Sequence, residues 1–399
     1  MRPESFLDSG TYITLIECRV GDMLHNIPKI NSLGKVAVLG WYGDFNVGND
    51  ALLLGILYNL AAASSNDDTI VFSWHPKLTA KLYGVHAAFY HKVFTVIPRI
   101  NTLVVGGGTL LTDWKLALFL FIFLSLTILW AKRLGKKILL YGIGVERFTT
   151  KIGRLLARKI ASAADIIVVR GYGSAKELER LGHNGKVFVS EDLAFTLPSP
   201  NEKAQDEILR SIFETKSPLA KGDFKVIICP KRCLGMSKVK KTLAEIADQL
   251  IEEHNAKVIF LPMSTSLYDD DRRTIEEIVR LSKRRGEIIL LRGRYTPMEV
   301  MALIGWSDLV ISMRLHPLIF SVKMGKPAIA LIGASTLATP PSTSKIYEAI
   351  ECINQRNAQE NDDKICICDM NIDSNQLMNK IRQLFLPKTQ ASQPASHSK

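Results

Sequence analysis

Short apolar runs alternate with stretches of helical period along most of the chain between residues 35 and 332. Turn residues bound the runs, as expected for buried strands, and the stretches between them repeat apolar positions every three to four residues. This alternation predicts a mostly parallel sheet covered by helices. In the first half, strands are predicted at 35–40, 69–73, 102–105, 137–141, 166–169 and 187–189, and helices at 51–63 and 152–163.

A proline-rich break at 197–201 separates this series from a second one. In the second series, strands are predicted at 225–229, 257–261, 287–291, 308–312 and 328–332, and helices at 239–254, 271–284, 297–304 and 317–324. A length of 399 residues suits two domains of roughly 150 residues plus extensions. The predicted architecture is α/β, with two Rossmann-like lobes facing a cleft and ligands beyond the carboxyl ends of the strands.

Five segments follow from this pattern. They are an N-terminal extension at 1–33, an N-terminal lobe at 34–200, a C-terminal lobe at 222–340, a helical segment at 341–386 and a tail at 387–399. Within the helical segment, helices are predicted near 345–351 and 374–386. The tail is rich in Ser, Gln and Pro and is predicted to be disordered.

Composition narrows the choice of partner and compartment. Lysine and arginine outnumber aspartate and glutamate by 51 to 39, a formal charge of +12 that suits anionic partners. No basic run with interleaved aromatics and no zinc-finger spacing is present, which argues against nucleic acid. Six scattered cysteines and an N-terminus without the apolar core of a signal peptide predict reduced thiols in the cytoplasm. Cys366 and Cys368 lack the second pair that a zinc site needs.

Residues 116–131 form a nearly unbroken apolar stretch. Its 16 residues fall short of the ~20 that a bilayer span requires. A helix buried against the sheet, a helix lying in a membrane interface and a true span are the alternatives. Because Lys132, Arg133, Lys136 and Lys137 follow directly, peripheral contact with an anionic membrane is also expected.

The sharpest site signal lies at the end of the predicted strand 308–312, where Arg314 and His316 precede Pro317. Proline suits the first turn of a helix because its missing N–H would find no partner there. The helix start directs free N–H groups and a partial positive charge toward the strand end. This pattern predicts an anion site with a proton-transfer group, and the alternative is a structural ion pair with a helix cap.

Two glycine-containing turns follow strands of the first lobe. The turn at 40–50 matches neither the dinucleotide-binding spacing nor the P-loop, yet it leads into a predicted helix and suits a ligand at the helix N-terminus. Gly106-Gly107-Gly108-Thr109 follows the strand predicted to end at Val105 and lets backbone approach a ligand closely. Tight-turn geometry explains each turn equally well.

Several motifs occur in a fixed order along the chain. They are Tyr42-Gly43 with Asn46-Val47-Gly48-Asn49, Val104 to Asp113, Tyr141-Gly142-Ile143-Gly144, Ala164-Asp165-Ile166 with Val169-Arg170, Glu191-Asp192-Leu193-Ala194-Phe195, and Arg314-Leu315-His316 with Phe320. In this order they resemble the polysaccharide pyruvyl transferase family, over residues 35–332. The family moves pyruvyl groups from phosphoenolpyruvate onto sugar hydroxyls to form a cyclic ketal.

The resemblance implies an architecture similar to that of GT-B glycosyltransferases, and a sugar or lipid-linked saccharide acceptor. It assigns Arg314 and His316 to binding and turnover of the donor. The expected substrate-binding residues are Lys231, Arg232, Gly43, Asn46, Gly48, Asn49, Gly107, Gly108 and Thr109. No cofactor or metal is expected, because arginines can neutralise the phosphate. The alternatives are a glycosyltransferase that uses a nucleotide-activated sugar and a non-catalytic protein that binds sugar or a lipid surface.

One position departs from the family pattern. The family usually has Gly-Asp-Glu-Ala where this chain has Gly48-Asn49-Asp50-Ala51. A carboxylate has become an amide, and the following carboxylate is shorter. Asn49 is therefore expected to form hydrogen bonds but not to act as a base.

Overall fold

The computed structural model describes residues 14–17, 33–61, 68–113, 117–213, 223–232, 236–333, 350 and 365–384. The chain divides into two compact units. The first runs to Ser199 and includes the short segments 264–266 and 295–297, and the second holds the rest of the chain from Pro200 onward. Apart from Ile350, the helix predicted near 345–351 and the tail predicted at 387–399 lie outside the described residues.

The sheet of the first unit is entirely parallel and doubly wound. Its strands are β1 (Thr14–Glu17), β2 (Val36–Leu39), β3 (Thr69–Phe72), β4 (His86–Ala88), β5 (Thr102–Leu111), β6 (Lys137–Val145), β7 (Ile166–Arg170) and β8 (Lys186–Ser190). They pair in the order β1-β8-β7-β6-β5-β2-β3-β4. The strand order therefore reverses between β2 and β5, and ligands of such sheets bind beyond the carboxyl ends of the strands at this point.

Helices cover both faces of this sheet. They are α1 (Val47–Leu60), α2 (Pro76–Tyr83), α3 (Val93–Val96), α4 (Ala117–Arg133), α5 (Lys151–Ala163) and α6 (Tyr172–Arg180). On one face, Leu53 and Ile56 of α1 pack in a core with Val38 and Val104. On the other, α3, α4, α5 and α6 pack against the sheet in a second core. Right-handed crossovers place the helices on these faces, because the chain moves in opposite directions from the centre of the sheet.

The second unit repeats this design around a smaller parallel sheet. Its elements are α7 (Glu202–Phe213), β9 (Lys225–Cys229), α8 (Met236–His254), β10 (Lys257–Phe260), α9 (Asp271–Leu281), β11 (Ile289–Leu290), α10 (Pro297–Trp306), β12 (Leu309–Ser312), α11 (Leu315–Lys323), β13 (Ala328–Ile332), β14 (Ile365–Asp369) and α12 (Ser374–Leu384). The strand order is β11-β10-β9-β12-β13-β14, so the order reverses between β9 and β12.

The predicted class, α/β with two Rossmann-like lobes, is confirmed. The sequence pattern missed β1, β4, β14, α2, α3, α6 and α7, which are short, polar or at a sheet edge. β1 lies in the segment predicted as an N-terminal extension, yet it pairs with β8. β14 lies in the segment predicted to be helical, yet it pairs with β13. The edge of a sheet buries less apolar surface than its centre, so a strand there carries a weaker pattern.

The prediction that the strand before the glycine triplet ends at Val105 is wrong, because β5 continues through the triplet to Leu111. A Cβ added at Gly106 would collide with the carbonyl oxygen of Tyr141 on β6, and one at Gly107 would lie 2.9 Å from Cβ of Leu52. The glycines therefore allow β5 and β6 to pair closely under α1. Low strand propensity made the triplet resemble a loop.

A single helical glycine tests this packing. Gly55 of α1 is buried, and a Cβ there would collide with the backbone carbonyl of Leu193. Replacing glycine by alanine normally stabilises a helix by up to about 1 kcal/mol. Here we expect Gly55→Ala to lower the free energy of unfolding by roughly 1 to 3 kcal/mol, because the carbonyl must move.

Chemical denaturation of the purified variant measures this change. Gly286→Ala is the matched control, since a Cβ at Gly286 meets no atom within 4 Å. A Gly55→Ala protein as stable as the control would show that α1 can shift away from Leu193 without cost.

Candidate functional site

The junction of β12 and α11 is held in a defined turn. β12 is buried in the centre of the sheet between β9 and β13. The Ser312 hydroxyl accepts from the backbone N–H of Arg314 at 2.9 Å and donates to the Arg314 carbonyl at 2.8 Å. Arg314 is the N-cap residue of α11, and its side chain forms no capping hydrogen bond. The first turn of α11 thus keeps its partial positive charge beside the strand end.

Arg314 is buried against two carboxylates that follow β10. Its Nη2 lies 2.5 Å from Oδ1 of Asp271 and 2.8 Å from Oδ2 of Asp269. Asp271 is fully buried, and its other oxygen accepts from the backbone N–H of Met263 at 3.1 Å. Burial alone would lower the pKa of the Arg314 guanidinium, but the two carboxylates raise it above its ordinary value. The guanidinium is therefore a fixed positive charge.

The guanidinium retains donor capacity. Its Nε–H is buried and finds no hydrogen-bond acceptor among the described residues. A buried charged donor without an acceptor is costly, and a bound anion would remove that cost. The two aspartates were not predicted from the sequence. The signal for them was the run Asp269-Asp270-Asp271 between a strand and a helix start, which reads as capping alone.

His316 lies within the first turn of α11 and not just before the helix as predicted, because α11 begins at Leu315, two residues before Pro317. Its ring packs beside Phe320 one turn later, with ring centroids 6.4 Å apart. The structure thus places a guanidinium and an imidazole within three consecutive residues at a helix N-terminus. This arrangement combines anion binding with proton transfer.

Lys231 and Arg232 follow β9, the strand next to β12. The register pairs Ser312 with Cys229, so both loops leave the same edge of the sheet. Lys231 is half-buried and Arg232 is exposed. The pKa of Glu277 on α9 is lowered mainly by a hydrogen bond from Lys240, with a smaller contribution from the charge of Arg232. Both residues follow a strand at the reversal point of the sheet, and their contact with a substrate stays a prediction.

In the first unit, the turn after β2 is organised by its own polar side chains. Asn46 caps α1 by accepting from the backbone N–H of Gly48 at 2.9 Å. The Asn49 amide donates to Oδ2 of Asp44 at 2.9 Å. Gly43 adopts a φ of 69°, and its carbonyl lies 2.7 Å from Nδ1 of His75. Asn49 thus forms a hydrogen bond, as expected of an amide at this position.

The ends of β2, β5, β7 and β8 bring further predicted residues together. A Cβ on Gly108 would lie 4.0 Å from the Asn49 amide oxygen, so the turn after β2 adjoins the glycine stretch of β5. Thr109 accepts from Nη2 of Arg170 at 3.2 Å, and Nη1 of Arg170 lies 2.8 Å from Asp192. Arg170 and Asp192 belong to the ordered motifs, but no individual role was predicted for either of them.

Asp50, which no sequence argument singled out as a titrating group, has a shifted pKa. Burial raises the pKa of its carboxyl to about 7, although a hydrogen bond with Tyr83 opposes the rise and the charge of Asp44 adds to it. A carboxyl that titrates near neutrality can exchange protons with a substrate. Across the described part of the chain, no group of three or more metal-binding side chains occurs.

The Asp271–Arg314 pair makes a stability prediction. Asp271→Asn keeps the size of the side chain but removes its buried charge, leaving the guanidinium with the partly exposed Asp269. We expect a loss of roughly 3 kcal/mol in the free energy of unfolding. Asp270→Asn is the control, because asparagine caps a helix as well as aspartate, and the expected change is below about 1 kcal/mol. Equal stability of the two variants in urea would contradict the prediction.

The sequence and the fold of this chain are similar to those of known proteins. A family model described as polysaccharide pyruvyl transferase matches residues 46–334. No curated protein matches the sequence.

Several solved structures share the fold at low identity. The S. aureus MnaA–UDP co-structure has a TM-score of 0.57 at 10% identity, covering 88% of this chain and 90% of that one. The UDP-GlcNAc 2-epimerase from Methanocaldococcus jannaschii has a TM-score of 0.55 at 12% identity, covering 90% and 93%. That from Neisseria meningitidis bound to UDP-GlcNAc has a TM-score of 0.52 at 10% identity, covering 88% and 90%.

These likenesses show a fold of the GT-B type and nothing more about chemistry. The family match is a match of sequence. It spans well over half of the chain and includes the β12–α11 junction and β13. This chain belongs to the polysaccharide pyruvyl transferase family.

Proposed function

We propose that this protein transfers a pyruvyl group from phosphoenolpyruvate to a sugar of a cell-surface polysaccharide or of its lipid-linked precursor. The product is a cyclic ketal. The observation that carries the proposal is the buried Arg314 guanidinium, whose Nε–H remains available beside the N-terminus of α11 and the His316 imidazole. We place the reaction in the cytoplasm, in keeping with the reduced thiols that the sequence predicts.

Phosphoenolpyruvate suits this junction because it carries two anionic groups. Guanidinium donors in a planar fork match a carboxylate or a phosphate, and the helix start adds N–H donors. Asp271 and Asp269 both contact the same nitrogen of the guanidinium, Nη2. They therefore fix the position of Arg314 while leaving Nε–H for the donor. Lys231 and Arg232 are proposed to supply further positive charge from the neighbouring loop.

The reaction balances without a redox partner. The methylene carbon of the donor gains a proton and becomes a methyl group. Two hydroxyl oxygens of one sugar form bonds to the central carbon, and the bond from that carbon to the phosphate oxygen breaks. Of the two hydroxyl protons that are lost, one is balanced by the proton that the methyl group gains, and the other leaves with inorganic phosphate.

His316 is proposed to carry the proton transfer. An imidazole titrates near neutrality and can give a proton to the methylene carbon or take one from a sugar hydroxyl. Its place in the first turn of α11 keeps it two residues from Arg314.

The first unit is proposed to bind substrate through the turn after β2 and the adjoining glycine stretch of β5. Their proposed contact residues are Gly43, Asn46, Gly48, Asn49, Gly107, Gly108 and Thr109. Sugar hydroxyls both donate and accept hydrogen bonds, so a site of amides, hydroxyls and backbone groups suits them. Asn49 already donates to Asp44, which leaves its amide oxygen as an acceptor facing Gly108.

Release of inorganic phosphate from phosphoenolpyruvate, measured with a panel of polysaccharide repeat units and lipid-linked saccharides, tests the proposal. Release that depends on both donor and acceptor supports it, together with a mass gain of one pyruvyl ketal on the acceptor. Release of a nucleotide from a nucleotide-activated sugar under the same conditions would instead favour a glycosyltransferase. Binding of saccharide without either reaction would favour a non-catalytic role.

Arg314→Lys keeps the positive charge but loses the planar fork. We expect the affinity for phosphoenolpyruvate to fall by roughly 1.5 to 3 kcal/mol, because a charged hydrogen bond is lost. Calorimetric titration with the donor measures the change. Arg272→Lys on α9 is the matched control, since Arg272 is also an arginine paired with a carboxylate, Asp270, but is not among the proposed donor contacts. Unchanged donor affinity in Arg314→Lys would remove Arg314 from the site.

His316→Ala should leave the donor bound and slow the chemical step. If His316 is the general acid or base, turnover should fall on the order of 10² to 10⁴-fold. His86→Ala, a change at an exposed histidine of β4, is the matched control. Thermal melting must first show that α11 is intact, because His316 lies in its first turn. A folded His316→Ala protein that turns over at the wild-type rate would make this histidine a structural residue only.

A further inference from the structure

α4 carries an apolar stripe on its outward face. Phe119 and Leu126 are exposed on this stripe, and Ile122 and Leu129 are half-buried on it. The opposite side of α4 is buried in the core of the first unit, through Phe121, Leu124 and Ile128. A helix on the surface of a protein normally carries polar residues on its outward stripe. α4 therefore presents apolar side chains where polar ones are expected.

The exposed fractions identify this side as a surface. Phe119 is 71% exposed and Leu126 is 59% exposed. Phe94 of α3 is 67% exposed, and its ring lies beside Trp130 with centroids 5.5 Å apart. The apolar surface thus runs from α4 onto its neighbour in the same helical layer. Clusters of exposed large apolar residues mark sites that bind a protein or a membrane.

α5 continues the surface on the other side of α4. The two helices pack together on one face of the sheet. Phe121 of α4 also packs against Phe148, which lies just before α5, with ring centroids 5.2 Å apart. Ile152 and Leu155 of α5 are both exposed. We name the set of exposed residues Phe94, Phe119, Leu126, Ile152 and Leu155 the outer apolar face.

The exposed charged residues on α4 and α5 are all basic. α4 and α5 contain no acidic residue, and Arg133, Lys151 and Lys159 are exposed on them. Lys92 and Arg99 are exposed at the two ends of the segment that contains α3. Nearby acidic residues are engaged within the protein. Asp165 pairs with Lys132 at 2.7 Å, and Asp113 accepts hydrogen bonds from Thr149 and Thr150.

From this combination we infer that the outer apolar face binds the surface of an anionic lipid bilayer. Apolar side chains would enter the boundary between headgroups and acyl chains, and the basic rim would lie at the level of the lipid phosphates. α4 itself stays in the protein, because its other side is packed on the sheet. In the described parts of the chain, no helix is long and apolar enough to cross a membrane.

This inference is independent of the proposed reaction, but it bears on the acceptor. A protein bound to a membrane through the helical layer of its first unit would be held near saccharides that are anchored in lipid. A soluble polysaccharide would give no such advantage. A second copy of this chain is the other conceivable occupant, but like-charged rims would repel each other across that contact.

Flotation with vesicles tests the inference. Vesicles of phosphatidylcholine and phosphatidylglycerol in equal amounts should carry the protein upward at low salt, on the order of tenfold more than vesicles of phosphatidylcholine alone. Binding should weaken at high salt, because the rim charges are screened. Protein that remains entirely in the dense fraction with the anionic vesicles at low salt would overturn the inference.

The combined variant Phe94→Ser, Phe119→Ser and Leu126→Ser should lose flotation, since its changes are at exposed positions and remove the apolar contact. Tyr58→Ser with Leu82→Ser is the matched control, because these residues are also exposed and lie on α1 and α2. The control should float as the wild type does. Equal flotation of both variants would overturn the assignment of this face.

Two further measurements separate this inference from others. Light scattering of the same proteins tests whether a second copy of the chain covers the face. A wild-type protein that is a dimer and binds no vesicles, together with a triple variant that is a monomer, would overturn the membrane assignment. Phosphate release with a soluble acceptor should be unchanged in the triple variant. If the wild-type protein releases no phosphate, the proposed reaction is contradicted, but the conclusion from flotation is unaffected.

Discussion

The buried contact between Asp271 and Arg314 fixes the chemistry-bearing end of the second unit. A carboxylate removed from water needs a positive partner, and the guanidinium satisfies it at 2.5 Å while the backbone of Met263 satisfies the other oxygen. The contact joins the loop after β10 to the start of α11. It therefore sets where the first turn of α11, with His316, lies relative to the carboxyl ends of the central strands.

In the first unit, close approach of backbone segments at glycines positions the candidate site residues, as the Asp271–Arg314 ion pair does in the second unit. Gly106 and Gly107 allow β5 to approach β6 and α1 closely, and Gly55 allows α1 to approach the backbone at Leu193. Because α1 is held this near to the sheet, Asn49 in its first turn lies beside Gly108. The turn after β2 and the glycine stretch of β5 thus adjoin at the point where the strand order reverses. Close backbone packing brings the two together, and hydrogen bonds of Asn46 and Asn49 hold the polar groups of the turn.

The helical layer of the first unit shows two opposite uses of apolar residues. On the inner side of α4, Leu124 and Ile128 pack on the sheet and stabilise the fold. On the outer side, Phe119 and Leu126 remain exposed and contribute nothing to that core. An unbroken apolar sequence therefore serves both a core and a surface, and hydropathy alone does not separate the two.

The sequence by itself determined the α/β class, the two series of elements and the junction that carries Arg314 and His316, because burial in a parallel sheet imposes a local pattern on strands and helices. It failed at Gly106 to Leu111, where close approach of another strand overrides the low strand propensity of glycine. Only the tertiary structure decided that Asp271 meets Arg314, that Arg170 joins Asp192 and that Asp50 titrates near neutrality. Each of these depends on groups distant in sequence that folding brings into contact, and burial then strengthens their interaction.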